Sequence, residues 1–347
     1  MGIINRLKSF FLANNKSVPV SAKSTAELAA ISRSKTAKTP LWIENNEDLF
    51  FQLEDKYYQY FIGVNSLLEL ELNSFEIDVI ESLEKIIKSE QSLAEETPRL
   101  PGIVPKLMHL LRTNDFDWKQ VADLIASDPV VLVGFIKIAN SPFYNLQIKD
   151  EKLDVILSQL GLQEVREVIM KVALKPIMLF EGGYFLKHSG AKIWDHSINS
   201  ATACRILAQK YKQEPFDAYL AGLLCNIGMA IVVKKMNEIK EFKTVPRSVQ
   251  FKKELLTLSK QLSLKIARNW EINPVVILAL TEQMFANAKK VESPLGSILY
   301  EGTAVSMKYI LVGEQRWQQN EQLADDIKES AFEKAYQQLE VCVEHLT

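Results

Sequence analysis

The chain is poor in the residues that catalysis and cross-linking most often use. Its three cysteines are odd in number and far apart, without a Cys-x-x-Cys pair, which excludes zinc-finger spacing and suits a reducing cytoplasm. The four histidines are too dispersed to predict a catalytic triad. A Gly-x-x-x-x-Gly-Lys-Ser/Thr phosphate loop and a Gly-x-Ser-x-Gly nucleophile elbow are also missing. The cysteines are Cys204, Cys225 and Cys342, and the histidines are His109, His188, His196 and His345.

Long hydrophobic runs are scarce as well. The most apolar stretch, residues 220–233, is interrupted by Asn226 and is shorter than the ~20 residues that a membrane-spanning helix needs. The N-terminus lacks an apolar region with a small-residue cleavage site, so we expect no secretory signal. With 47% hydrophobic and 24% charged residues, the composition is that of an ordinary globular protein, and we expect it in the cytoplasm.

Charge divides the 347 residues into three sections, although the whole chain has a net charge of only -2. Residues 1–40 carry seven basic residues against one acidic residue, and residues 41–97 carry three against fourteen. The remainder is nearly balanced, with 31 basic and 28 acidic residues. At this length we expect two cores, or one core with extensions, because single cores stop growing at roughly 250–300 residues.

The basic section begins with an amphipathic pattern in residues 1–13, where apolar residues recur at helical spacing around Arg6 and Lys8. An isolated helix of this length is marginal in water, so docking on its own protein or fraying is favoured, and weak contact with an anionic membrane surface is the alternative. Gly2 does not predict myristoylation, because Arg6 stands where Ser or Thr is needed. The small, polar residues that follow predict a flexible linker. We expect residues 1–40 to be dispensable for folding.

The acidic section, residues 41–97, is rich in aromatic residues and is predicted to be helical. A helix over residues 75–93 is expected, with Ser74 capping its start. The aromatics either form a partner surface or, as we favour, pack this section against the following domain. They are Trp42, Phe50, Phe51, Tyr57, Tyr58, Tyr60 and Phe61.

From residue 98 onward the sequence has clear helix-start signals and no pair of matching strands, which predicts an all-α fold. Asp117 precedes the apolar pattern of residues 118–126, and Asp128 with Pro129 predicts a helix to about residue 139. Asp150 is a further expected cap, for a helix that ends near Gly161, and Pro176 is expected to kink or end the next one. Later starts are predicted at residue 193, at Asp217 and at the Asn273-Pro274 and Ser293-Pro294 pairs.

The order of several short motifs resembles the HDOD proteins, the HD-related output domains of bacterial signalling. The motifs are Leu100-Pro101, Ile125-Ala126-Ser127-Asp128-Pro129, the stretch from Ile136 to Tyr144, Leu160-Gly161, His196 and Cys225-Asn226. The resemblance implies that a helical N-terminal subdomain packs on an HD-like helical subdomain. The expected division is residues 1–40, basic leader and linker; 41–97, acidic helical extension; 98–312, HDOD domain, with subdomains 98–189 and 190–312; and 313–347, C-terminal helix.

The same resemblance implies where a metal site would lie. In the HD superfamily a helical histidine and a later His-Asp pair hold catalytic metal ions, and here Cys225-Asn226 stands in place of that pair. A Cys next to an Asn supplies neither imidazole nor carboxylate for a hydrolytic metal. We therefore expect no bound metal, no cofactor and no catalytic residues. The vestigial metal-site positions are His196, Cys225, Asn226, Glu282, Gln283 and Thr303.

Two function classes follow, and the first is preferred. The first is a non-catalytic signalling module that binds another signalling protein, whose identity the sequence does not give. The second is a metal-dependent phosphohydrolase, acting on nucleotides or phosphoesters with a rearranged site. Nucleic-acid binding is not expected, because the helix pair at residues 117–139 carries only Lys119 and Lys137 as basic residues. The oligomeric state is left open.

Overall fold

The computed structural model describes residues 42–112, 116–141, 152–179, 183–239, 246–284, 291–317 and 331–344. Within these ranges the chain forms α-helices joined by turns, and the one β pairing is an isolated bridge between Leu68 and Ser248. The all-α prediction is confirmed. The expectations for residues 1–40, and the cap at Asp150, lie outside the described residues.

The helices follow the charge sections of the sequence. The acidic extension contains α1 (Trp42–Ile62), α2 (Ser74–Lys88) and α3 (Glu90–Glu96). The next group is α4 (Ile103–Arg112), α5 (Trp118–Ala126), α6 (Pro129–Ala139) and α7 (Leu153–Met178). The last group is α8 (Tyr184–Tyr211), α9 (Pro215–Leu224), α10 (Ile227–Glu238), α11 (Val249–Asn269), α12 (Pro274–Glu282), α13 (Pro294–Gly313) and α14 (Ala331–Glu344).

Four of the predicted helix starts are confirmed by capping hydrogen bonds. The Asp117 carboxylate accepts from the backbone N–H of Lys119, and the Asp128 carboxylate accepts from two backbone N–H groups at the start of α6. Asn273 and Ser293 cap α12 and α13 in the same way, each followed by a proline. These caps satisfy N–H groups that have no partner inside the helix.

Other predicted boundaries were only partly right. The helix over residues 75–93 is divided at Ser89, and Asn73 rather than Ser74 caps its start through a capping box with Glu76. The predicted helix end near Gly161 is confirmed: Gly161 has a φ of 81° and a ψ of 164°, which are not helical, so two helical segments of α7 meet there. In the same helix Pro176 lies two residues before the end. Helix propensity alone does not fix these ends, because tertiary packing overrides it.

The start and end of two central helices also differ from the prediction. Helix α8 begins at Tyr184 and not at residue 193, so His196 lies in its interior. Helix α9 begins at Pro215, and Asp217 lies in its first turn, where its carboxylate accepts from the Asn273 side chain at 2.5 Å. The pair Cys225-Asn226 was expected inside the helix that starts near Asp217. It lies instead in the break between α9 and α10.

Helix α8 is the centre of the last group and packs closely against α9 and α13. Glycines allow this approach: a Cβ at Gly222 of α9 would lie 2.7 Å from Cα of Ala201, and a Cβ at Gly302 of α13 would meet the thiol of Cys204. Helix α7 contacts α4, α5 and α6 and also α8, α9 and α10. It therefore connects the second and third groups of helices.

One stretch among the described residues, Pro215–Glu238, is long and apolar enough to cross a membrane on length and composition alone. It comprises α9, the break at Cys225-Asn226, and α10. Of its most apolar window, 89% is buried inside the protein. The core position of these helices accounts for their apolar composition.

Candidate functional site

A small cavity lies between α1, α8, α11 and α13, beside the break after α9. Its volume is about 70 Å³, far below the roughly 300–1,000 Å³ of typical ligand pockets. Five of the six positions predicted as vestigial metal-site positions line it together: His196, Cys225, Asn226, Gln283 and Thr303. The structure therefore brings together at one site five of the positions that the resemblance indicated.

The imidazole of His196 is buried and is hydrogen-bonded through Nδ1. The hydroxyl of Ser306 donates to the His196 carbonyl oxygen at 3.1 Å, so the same hydroxyl oxygen is free to accept from Nδ1 at 2.7 Å. The ring of Tyr57 lies beside the imidazole, with 4.4 Å between the ring centroids. Burial lowers the pKa of His196 to about 3. The imidazole is therefore neutral at neutral pH.

The Cys225 thiol is buried and donates to the carbonyl oxygen of Gly222 at 3.1 Å. Burial raises its pKa to about 12, so it stays protonated and is a poor metal ligand at neutral pH. The hydroxyl of Ser263 donates to the Cys225 carbonyl at 2.8 Å and accepts from the N–H of Gly228 at 2.9 Å. This pair of bonds holds the break between α9 and α10. The buried Nδ2 of Asn226 has no hydrogen-bond partner among the described residues.

The remaining predicted positions divide between the cavity and a helix cap. The Thr303 hydroxyl donates to backbone carbonyls of α13 at 2.8 and 2.9 Å. Glu282 does not line the cavity: its carboxylate accepts from the Ser293 hydroxyl at 2.5 Å and from the backbone N–H groups of Glu292 and Ser293. Burial raises the pKa of Glu282, and these hydrogen bonds oppose the rise. Glu282 thus serves the start of α13.

Helix α1 forms the other wall of the cavity, which confirms that the aromatic section packs against the following domain. Side chains at helical spacing on α1 line it, and the hydroxyl of Tyr57 donates to the Lys192 carbonyl at 3.0 Å. Two ion pairs fix the helix: Lys260 to Glu54 at 3.1 Å, and Lys252 to Asp55. That α1 covers this site was not predicted from the sequence. The signal was the apolar stripe Phe50, Tyr57 and Phe61, with Glu54 between them.

The donor atoms of the cavity do not fit a hydrolytic metal centre. Those at the predicted positions are one imidazole, one protonated thiol, two side-chain amides and a hydroxyl already bonded to backbone, and the Glu54 carboxylate that also lines the cavity is paired with Lys260. In the part of the chain that the structure describes, no three His, Cys, Asp or Glu side chains come together in a way that could hold a metal ion. Such centres use imidazoles and carboxylates to bind the ion and to activate water.

Comparisons with known proteins agree with this architecture. The HDOD domain family matches residues 97–284. A solved structure from Shewanella amazonensis, provisionally named a metal-dependent phosphohydrolase, is 21% identical, covers 78% of this chain and 99% of its own, and has a TM-score of 0.54. An HDOD domain protein of unknown function from Geobacter sulfurreducens is 18% identical, with coverages of 77% and 94% and a TM-score of 0.52.

A third solved structure, from Marinobacter aquaeolei, is provisionally named a signal transduction protein. It is 20% identical, covers 80% of this chain and 65% of its own, and has a TM-score of 0.52. At these identities the likeness concerns the fold alone. No protein of curated function matches the chain.

Proposed function

The chain belongs to the HDOD domain family, and from this premise we propose that it is a non-catalytic signal-transduction module that acts by binding another protein in the cytoplasm. In this proposal its HD-type metal site has been lost. The observation that carries it is the small cavity of the candidate site, which we call the closed cavity because α1 covers it. In this cavity Cys225 and Asn226 stand in place of metal ligands, and Tyr57 of α1 lies against His196.

Burial supports the loss of chemistry independently of residue identity. A phosphoester bound at the site would have to reach His196, which is 6% exposed and hydrogen-bonded to Ser306. The wall formed by α1 is held by the ion pairs of Glu54 and Asp55 and by the hydroxyl of Tyr57. Opening the site would break these contacts together.

The competing function is a metal-dependent phosphohydrolase with a rearranged site, and it is favoured only by the provisional names of two Shewanella amazonensis proteins of the same fold. The two proposals differ in metal content. We therefore propose elemental analysis of the full chain purified without added metal, together with a phosphoester hydrolysis assay using p-nitrophenyl phosphate and added Mn²⁺. His196→Ala is the matched variant.

We expect well under one equivalent of iron, manganese or zinc, and no hydrolysis above that of buffer. Stoichiometric metal that is lost, together with activity, in His196→Ala would overturn the non-catalytic proposal. Metal retained in His196→Ala without activity would be adventitious and would leave the non-catalytic proposal standing.

An exposed apolar stripe on α6 supports the protein-binding part of the proposal. Val130 and Val133 are each 65% exposed, and Ile136 follows on the same face at 38%. Clustered exposed apolar residues mark interaction sites in soluble proteins. The test compares the proteins that copurify from the native cell with wild type, Val133→Asp and Val341→Asp, an equally accessible valine on α14. A specific partner should be lost in Val133→Asp and kept in Val341→Asp; retention in both would contradict this surface.

A further inference from the structure

A second cavity, which we call the lysine cleft, lies between α7, α8, α13 and α14. Its volume is about 660 Å³, within the range of roughly 300–1,000 Å³ that ligand pockets have. It shares no lining residue with the closed cavity. The lining residues that matter here are Lys171, Lys175, Lys192, Trp194, Tyr309 and Tyr336.

The three ammonium groups of this cleft form no close ion pair with a carboxylate in the described part of the chain. Among the described residues none of them has an acidic oxygen within the 4.0 Å of an ion pair. The Lys192 ammonium donates to the carbonyl oxygen of Tyr60 at 2.8 Å and lies 4.0 Å from the centroid of that ring. The Lys175 ammonium lies 6.0 Å from the Trp194 ring centroid.

Three carboxylates, those of Asp195, Glu314 and Glu340, line the same cleft. Glu314 accepts from the hydroxyl of Tyr60 at 3.0 Å, and Glu340 is hydrogen-bonded to Tyr336. Burial raises the pKa of Asp195, although Lys175 opposes the rise. The cleft is thus lined by three cations and three anions, and because the lysines form no ion pair with a described residue, their ammonium groups can bind an anionic group of a ligand.

The electrostatic response of the lysines agrees with this arrangement. Burial lowers the pKa of Lys171, the charge of Lys175 lowers it further, and the charge of Glu167 opposes the fall. Burial also lowers the pKa of Lys192, with Arg316 as a second cause and Glu314 in opposition. Cations that disfavour one another in a partly dry cavity are stabilised by an anion placed between them.

We infer that the lysine cleft binds a small phosphorylated molecule with an aromatic ring, of which a mononucleotide is the simplest example. The ammonium groups of Lys171, Lys175 and Lys192 supply donors and charge for the phosphate. Trp194, Tyr309 and Tyr336 supply faces and edges for the ring, and the last two already pair at 6.2 Å between centroids. The inference does not rest on the proposed function, because it uses no residue of the closed cavity or of the α6 stripe.

The test is isothermal titration calorimetry of the full chain with AMP, and with adenosine and inorganic phosphate as separate probes. We expect AMP to bind more tightly than either fragment, and Lys171→Gln/Lys175→Gln to weaken AMP binding at least tenfold. Lys253→Gln is the matched control, because Lys253 is exposed on α11 away from the cleft, and it should change the affinity less than twofold. AMP recovered unchanged by chromatography separates binding from hydrolysis.

Several outcomes would overturn the inference. One is the absence of AMP binding at millimolar concentration, and another is equal AMP binding by the double variant and the wild type. A third is a double variant that loses AMP binding only to the extent that it has lost the native melting transition, because the loss would then reflect unfolding. Equal affinity for phosphate and AMP would overturn the assignment of the aromatic ring. As a second measurement, AMP should quench tryptophan fluorescence in the wild type, and Trp194→Phe should abolish that change.

Discussion

The two cavities lie on opposite faces of one helix and have opposite character. On α8, Ile193 and His196 face the closed cavity, whereas Lys192, Asp195 and Asn199 face the lysine cleft. The closed cavity is lined by neutral donors and by one charged pair, Glu54 and Lys260, whereas the charged groups of the cleft form no ion pair among the described residues. Adjacent residues on α8 therefore have very different surroundings.

The difference comes from what covers each face. The acidic extension places the aromatic face of α1 on the closed cavity, and its acidic residues pair with Lys252 and Lys260 beside it. At the cleft, α1 contributes only Tyr60 at the rim. Covering a polar site with aromatic side chains favours its neutral forms, because burial in a low dielectric disfavours charge. The cleft is covered less by α1 and is lined by charged side chains.

The largest expected contrast is between two tyrosines of α1. Tyr57→Ala removes the ring that packs on His196, and we expect a loss of about 3 kcal/mol in the free energy of unfolding, as for other truncations of aromatic residues in cores. Tyr60→Ala, at the open rim, should cost about 1 kcal/mol. Urea unfolding of both variants measures this. Equal losses would show that α1 covers the two cavities alike.

The next contrast concerns pH. Because burial lowers the pKa of His196 from 6.5 to about 3, the unfolded chain binds a proton between these values that the native protein does not. Stability is therefore lost as the pH falls, by about 1.4 kcal/mol per unit, or about 2 kcal/mol at pH 5. His196→Gln should lack this part of the pH dependence.

The measurement is the difference in unfolding free energy between His196→Gln and wild type at pH 7 and at pH 5. The other titrating groups act in both proteins and cancel in that difference. A difference that does not change with pH would mean that the imidazole titrates normally in the native protein and that the cavity is open to water.

A smaller effect is expected at the former ligand position itself. Cys225→Ala removes a buried thiol that serves packing, so stability should fall by about 1–2 kcal/mol while partner binding is retained. Thermal melting and the copurification assay measure the two properties separately. A variant with unchanged melting that no longer binds its partner would show that the closed cavity still recognises a ligand.

The smallest effect should have the opposite sign. Lys171→Met relieves repulsion in the lysine cleft, so we expect a gain of about 0.5 kcal/mol in stability, which added salt should reduce. Lys253→Met, on the exposed face of α11, is the control and should be neutral. A loss of stability in Lys171→Met would show that the attraction between Lys171 and Glu167 outweighs the burial of Lys171 and its repulsion by Lys175.

The sequence predicted the fold class, four helix caps and the gathering of His196, Cys225, Asn226, Gln283 and Thr303 at one site. These features depend on local signals or on motif order, which a single sequence contains. It did not predict that α1 covers the site or that a second cavity lies on the other face of α8. Those features depend on packing between helices far apart in the chain, as in the hydrogen bond between Tyr57 and Lys192. Glu282 was assigned to the cavity because position alone does not show which way a helix end turns.

The glycine contacts of α8 have a mechanical consequence. Gly222 and Gly302 allow close contact between α8 and its neighbours α9 and α13. A sideways shift of α8 would therefore cause steric overlap. Between α8 and α1, Lys192 bonds to Tyr57 through its carbonyl and to Tyr60 through its ammonium, and the Ser189 hydroxyl donates to the Phe61 carbonyl. A ligand that drew the Lys192 ammonium away from the Tyr60 carbonyl would loosen the end of α1. That helix is therefore the part of the protein best placed to convert binding in the cleft into a movement.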